Sequence, residues 1–448
     1  MKRVPQDSSA LRGELISMNR KEAIMSDQNQ SKFVPSPEYL AREKRFYDAV
    51  SLRKPDRVPV ASLAAFFVTR YAGLTNAEAM SDYERMANAW LASTKKLNWD
   101  MAPPPFVAFP APVMELLGLR TFIWPGKHLP PNLPYQFVEK EYMLADEYDE
   151  FLANPSDFVV RKMMPRMSET LEPLGMLPPL HWFSSGYTLI ILFATMMGVP
   201  PIAGMLKKLI QVGEEMNKVN AIQGKLIQDL AEAGYPLITY AFAEAPFDWV
   251  SDMFRGMRGV MSDMYRQPDK LKAAIDVFTP FAIQSSLMAA QMSGNTRIFI
   301  PLHRGAGGFM SNKQFEEFYW PGLKKLMMTL IEHGLLPMPF LEGDYTPRLQ
   351  YLAELPPGKV LGHFDVVDLK KAKEMIGNVM CFWGNIPAGM LVTGRPQQVK
   401  DYVKQLIDIF GDTGGLILDG AVDGIPPESK PENVEAMMET ALEYGVYS

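Results

Sequence analysis

Cysteine is almost absent from this chain of 448 residues: Cys381 stands alone, which excludes an intramolecular disulfide and any zinc or iron–sulfur site built on paired thiolates. A single thiol fits a reducing cytoplasm. An excess of positive charge is also missing. With 45 Lys and Arg against 51 Asp and Glu, the net charge of −6 offers no attraction to nucleic acid or anionic lipid, so neither is expected as a partner. Long hydrophobic runs are missing too. The most apolar stretch, TLIILFATMMGV at 188–199, is too short to span a bilayer and runs into two prolines, so a buried helix is expected there. The opening MKRVPQDSSALRGELISMNRKEAIMSDQNQ has basic residues but no continuous apolar centre and does not read as a secretory signal. Residues 1–35 read instead as a disordered arm ahead of one domain over 36–448.

Several chemistries drop out because their motifs are not there. No GxxxxGK[ST] occurs, GAGGFM at 305–310 lacks the third glycine of a dinucleotide fingerprint, and neither HExxH nor GxSxG is found. The glycines of HRGAGG suit a loop turning over a pocket rather than a phosphate cradle. There is no repeat of fixed period and no low-complexity block. The 31 methionines suit gap-filling in a large core.

What is present is an alternation. In the second half the short apolar runs RIFIPLH, LLPMPFLE, KVLGHFD, MCFWGNIP and GGLILDG are separated by helical patterns such as VDLKKAKEMIG and PQQVKDYVKQLIDIFG. Strands alternating with helices predict a parallel sheet. RVPVASL (57–63) and YPLITYAF (235–242) add strands in the first half, 203–233 reads as one long helix, and the proline-rich 101–134 reads as loop. A (β/α)8 barrel with a helical N-terminal elaboration accommodates these elements.

Barrel enzymes carry their reactive groups at the carboxyl ends of the strands. Those ends offer His303, then Glu342 with Asp344, then His363 with Asp365, then Asn385, then Asp419 and Asp423. In FLEGDYTPR (340–348) the two carboxylates lie two residues apart, and on a strand such residues face the same way. They are expected to converge on one place, although capping of a following helix would also explain them. His333 suits a helix end, and His128 and His181 fall in loops. Aromatic residues near the presumed mouth, among them Phe309, Tyr345 and Trp383, would suit a flat substrate ring; core packing explains a single aromatic equally well.

Two segments carry a resemblance. SLRKPDRVPV (51–60) and CFWGNIPAGMLVTGRPQQVKDYVKQLIDIFGDTGGLILDGAVDGIPPESKPENVEAMMETA, with its GN-x-P, TG-x-P, GG-x-IL and PENV-x-AM order, resemble the uroporphyrinogen decarboxylase superfamily from about residue 40 onward. The resemblance implies a distorted (β/α)8 TIM barrel and one of two activities, tetrapyrrole decarboxylation or methyl transfer with a cobalamin-carrying protein. The decarboxylases hold substrate carboxylates on an Arg-Gln-Ala-Gly-Arg segment after the first strand. The matching ASLAAFFVTRYAGLT offers only Arg70, so a carboxy-lyase ranks second. The thiol-using methyltransferases of the superfamily carry a zinc-binding His-x-Cys-Gly, where this chain has Phe340, Glu342 and Gly343, and a later cysteine, where it has Ala421 and Val422. Oxygen and imidazole in place of thiolate favour a harder Lewis acid, suited to an ether rather than a thiol.

The closest resemblance, through EGDYTPRL and GNIP, is to the corrinoid-dependent methyltransferases of the O-demethylase type. It implies demethylation of a small methylated, aromatic compound with transfer of the methyl group to cob(I)alamin. No histidine has an aspartate two residues before it, so the Asp-x-His-x-x-Gly of cobalamin binders is missing and the cobalamin is expected on a partner corrinoid protein. Zn2+ is expected on some of His303, Glu342, His363 and Asp365. Glu342, Asp344, Asp365 and Asn385 are the candidate catalytic groups, and Tyr345, Trp383 and Phe309 the candidate substrate contacts. A non-catalytic barrel that binds a tetrapyrrole or a corrinoid protein is the alternative outside enzymes.

Overall fold

The computed structural model describes residues 33–447 apart from 65, 106, 107, 185, 187, 422 and 423. Asp423 and nearly all of the expected N-terminal arm lie outside the described residues. The described chain opens with helix α1 (Pro37–Val50), which starts where Ser36 accepts the N–H of Tyr39 and proline fills the first turn. Its Phe46, Ala49 and Val50 are buried among residues of the sheet interior, including Phe299, Cys381 and Trp383. The KPDR turn that follows is tied down through charge. Arg45 and Arg57 both pair with the fully buried Asp100, at 2.6 and 2.8 Å.

A small antiparallel ribbon, β1 (Phe122–Ile123) with β2 (Gln136–Phe137), lies in the proline-rich stretch. The main sheet has six parallel strands in chain order: β3 (Ala241–Phe242), β4 (Arg297–Leu302), β5 (Leu336–Asp344), β6 (Leu361–Val366), β7 (Cys381–Gly384) and β8 (Leu416–Ile417). Single parallel bridges, Val60–Leu418, Ala61–Met101 and Ala102–Leu237, place two short segments between β8 and β3. Backbone hydrogen bonds accompany them, from Ala61 to Leu418 at 3.1 Å and from Ala102 to Pro236 at 2.7 Å. Prolines 59, 103, 104, 105 and 236 remove ladder donors there, which is why RVPVASL forms single bridges rather than a full strand. This is an α/β architecture on a parallel sheet, as the alternation of elements predicted, and six of the strands expected for a (β/α)8 barrel are regular.

The helical elaboration includes α2 (Pro200–Glu232), the long helix expected over 203–233. Helix α3 (Pro268–Ser293) packs Leu271, Ala274, Ile275, Phe278, Ala282 and Ser286 inward at helical spacing. By length and composition it is apolar enough to cross a membrane, and 39% of its most apolar window is buried. One expectation fails: TLIILFATMMGV is helical over Leu189–Met197, but none of its residues is buried, and Ile190 is 80% exposed. The chain bends by 72° between this short helix and α2, across Gly198 and Val199, and Met196 and Met197 at its end pack, partly buried, against the small cluster of Leu177, Ile202 and Met205.

Candidate functional site

The carboxyl ends of β3, β4 and β5 converge on one group of ionisable side chains. Two residues past β3 lies Glu244, after which the chain turns into a helix through Pro246–Asp248 that widens into a π-helical turn over Trp249–Arg255. Asp248 and Asp252, four residues apart, fall on one helical face. His303 follows β4 directly, and Glu342 lies near the end of β5.

Asp248 is fully buried and fixes the start of the His303 loop. Its carboxylate accepts the N–H of His303 at 2.9 Å and of Arg304 at 3.2 Å, and Tyr319 donates its hydroxyl at 2.5 Å. Asp252 bonds Nδ1 of His303 and is held in turn by Arg304 at 3.0 Å. The ring is thereby oriented with Nε2 toward Glu342, whose Oε1 lies 3.8 Å away, while Oε1 of Glu244 is 3.7 Å from Nδ1. Such a carboxylate–histidine pair is how proteins set the tautomer and direction of a metal-binding imidazole.

The electrostatics are strained in one direction. Burial, with the charges of Asp248, Asp252 and Glu342 added and His303 opposing, lifts Glu244 to about 8. Burial and the charge of Asp252 lift Asp248 to about 7. Burial pulls His303 down, but its bond to Asp252 and the surrounding carboxylates outweigh that and raise it to about 10. Too many carboxyl groups share one imidazole and one guanidinium. Groups so perturbed at strand ends are candidates for function.

Two of the sequence-derived site residues, His303 and Glu342, meet here; others do not. Asp344 does not converge with Glu342. The β5–β6 register shifts between Leu341 and Asp344, and Gly343 takes φ +80°, a left-handed conformation that breaks strand alternation. Asp344 is exposed and its carboxylate accepts the N–H of Thr346 at 2.9 Å. His363 is fully buried in the sheet interior, bonded to Asp419 at 3.1 Å and placed edge-on to Phe340 and Trp383. Asp365 accepts the N–H of Gly343 at 2.9 Å, and Asn385 bridges the carbonyl of Asp365 and the hydroxyl of Tyr402, each at 3.0 Å. These residues brace the strands. Trp383 donates to the carbonyl of Ala61 at 2.7 Å within the packed interior, whereas Phe309 lies under the guanidinium of Arg304. Tyr345 is buried beside the Gly305 backbone, so close that a Cβ at Gly305 would sit 2.1 Å from its hydroxyl. That close approach is what the glycines of HRGAGG allow.

Sequence reasoning missed Glu244, Asp248, Asp252 and Tyr319. A signal was available in AFAEAPFDWVSD, where three acids recur every four residues after a strand end.

The sequence profile of the uroporphyrinogen decarboxylase (URO-D) family matches residues 207–444. The chain belongs to that family. Among curated URO-D proteins, the one from Syntrophotalea carbinolica is 23% identical over 220 residues, covering 48% of this chain and 62% of its own length. The one from Alcanivorax borkumensis is 24% identical over 240 residues, covering 52% and 64%. The match thus spans less than two thirds of those relatives. A solved methyltransferase from Methanosarcina mazei has the same fold, with a TM-score of 0.57 at 18% identity over 90% of this chain and 98% of that one.

Proposed function

We propose that this URO-D family member demethylates a small methylated compound, a methoxylated aromatic, and passes the methyl group to cob(I)alamin on a separate corrinoid protein, with a divalent cation, Zn2+, in the acidic site. The observation that carries the reading is the cluster itself: Glu244, Asp248 and His303 each offer a ligand atom, all within 4.8 Å of one another. Carboxylate oxygen and imidazole nitrogen are both ligand types for zinc, and three protein ligands would leave a position open for substrate. The surplus of carboxyl groups fits the same ion, as does Oε1 of Glu244, which is buried with no hydrogen-bond partner. When bound, zinc would supply Lewis acidity toward the ether oxygen, whose departure as alkoxide or phenolate is otherwise slow.

The chain's own side chains divide the remaining work. Glu244, Asp248 and His303 would hold the ion. Asp252 keeps His303 turned with Nε2 toward Glu342, and Tyr319 fixes Asp248. Glu342 stands at the open side of the imidazole, where its carboxyl group can complete the ion's ligands or deliver a proton to the departing oxygen.

A second reading, a carboxy-lyase acting on a tetrapyrrole acid, is favoured by the names of the two curated relatives. Against it stands the charge of the site. A polycarboxylate would approach clustered acids, and the segment after the first strand offers only Arg70, on the short helix Phe67–Tyr71. Incubating the purified chain with a tetrapyrrole polycarboxylate, and separately with an aryl methyl ether and a reduced corrinoid protein, decides between them. The expected result is a demethylated phenol and no carbon dioxide; carbon dioxide release with no phenol sinks the proposal.

A further inference from the structure

Beside the acid cluster a cavity of about 770 Å3 lies between α3, the helical turns around residue 160 and the end of β3. Its size falls within the roughly 300–1,000 Å3 usual for small-molecule sites. Among the described residues that line it, Glu244 alone is ionisable, and that residue also belongs to the cluster of candidate ligands. The other polar side-chain groups among the described lining residues are the hydroxyls of Ser156 and Ser285 and the indole N–H of Trp249. The remaining lining is apolar, with Trp249 and Phe278 stacked almost parallel, 8° apart, and Phe281 set across Trp249 at 70°.

Resting on the methyl-transfer reading, we infer that this side cavity binds the substrate ring, and that it selects an uncharged aryl methyl ether over one bearing a carboxylate. Among the described residues of the lining there is no arginine, lysine or histidine to pair with an anion, and the one ionisable group, Glu244, is itself acidic. A carboxylate taken into the cavity would lose water with no cation to pair with and would face the acid Glu244, whereas a neutral ring loses little hydration and gains aromatic contacts. The ether oxygen would face Glu244, the one polar group that the cavity shares with the cluster, while Ser156 and Ser285 remain for ring hydroxyls.

Equilibrium dialysis of the full chain, with no corrinoid protein present, tests this with two probes of similar size, dimethoxybenzene and dimethoxybenzoate. Dimethoxybenzene should bind, and dimethoxybenzoate should bind more weakly by about tenfold or more. Filling the cavity from either wall, with Ser285→Phe on α3 or Val160→Phe opposite it, should remove dimethoxybenzene binding while zinc binding is retained; retained zinc also shows that each variant is folded. Equal or tighter binding of the carboxylate, no binding of dimethoxybenzene, or undiminished binding in both filled variants overturns the inference. If the filled variants still transfer methyl groups, the cavity assignment fails and the methyl-transfer reading stands. If dimethoxybenzene binds in the cavity and no methyl group ever moves, the reverse holds.

Discussion

If the acidic site takes a dication as proposed, loading it should expel protons, because burial and neighbouring charge favour the protonated forms of its ligands. Metal ligands bind in their deprotonated forms. In the metal-free site Glu244 is lifted to about 8, Asp248 to about 7 and His303 to about 10, so all three carry protons at pH 6. Because all three are raised, zinc binding should release protons, and more of them at pH 6 than at pH 9. Affinity therefore climbs with pH, more steeply at pH 6 than at pH 9. The lift of Glu244 from 4.5 to about 8 corresponds to roughly 5 kcal/mol of charge penalty, which a bound cation would relieve. Calorimetric titration with zinc in two buffers of different ionisation enthalpy reads the proton count directly. Glu244→Gln should lower it at pH 6. A count no larger at pH 6 than at pH 9, or an affinity indifferent to pH, would refute the assignment of these three side chains as ligands.

The same shifts make the metal-free fold weaker as pH rises. All three folded values lie above the ordinary ones, so the folded state holds extra protons and loses stability through the window from about pH 4 to 10; the zinc-dependent rise in Tm should therefore be larger at pH 9 than at pH 6. Asp252→Asn removes the carboxylate that orients His303 and should cost about 10- to 100-fold in zinc affinity by competition with a chelating dye; an unchanged affinity means that the pair is structural. Glu342→Gln keeps the shape but removes the charge. Loss of zinc together with methyl transfer makes Glu342 a ligand, retained zinc with lost transfer makes it the proton donor, and retention of both removes it from the site. Arg348 is buried and donates to the carbonyls of Gly305 and Met310 and to Asn312, holding the glycine loop, so Arg348→Met should destabilise by about 3 kcal/mol in urea unfolding.

The strand-to-helix rhythm made the parallel sheet legible in sequence, and the ends of RIFIPLH and LLPMPFLE led to His303 and Glu342. The third contributing strand end was hidden for a physical reason. Only Ala241 and Phe242 of YPLITYAF form a regular strand, and Glu244 and Asp248 follow in an alanine- and proline-rich stretch that resembles a loop. Asp344 misled because strand alternation holds only while φ stays extended, and Gly343 at φ +80° ends it. His363 misled because a strand-end position does not say how deep a side chain lies. Its ring sits one layer inside, between Phe340 and Trp383, where Asp419 satisfies one of its nitrogens. Helix 189–197 shows the limit of hydrophobicity as a guide. Apolar composition gives the reason to bury a segment but not the surface that would cover it.

The most direct test follows the methyl carbon. Dimethoxybenzene labelled with carbon-13 in its methoxyl groups, mixed with the zinc-loaded chain and a corrinoid protein reduced to cob(I)alamin, should transfer the label to cobalt, seen by NMR as methylcobalamin appears. Transfer should require zinc and vanish in His303→Ala. Label that stays on the ring ether while a tetrapyrrole acid loses carbon dioxide on the same protein would contradict methyl transfer and make this chain a decarboxylase.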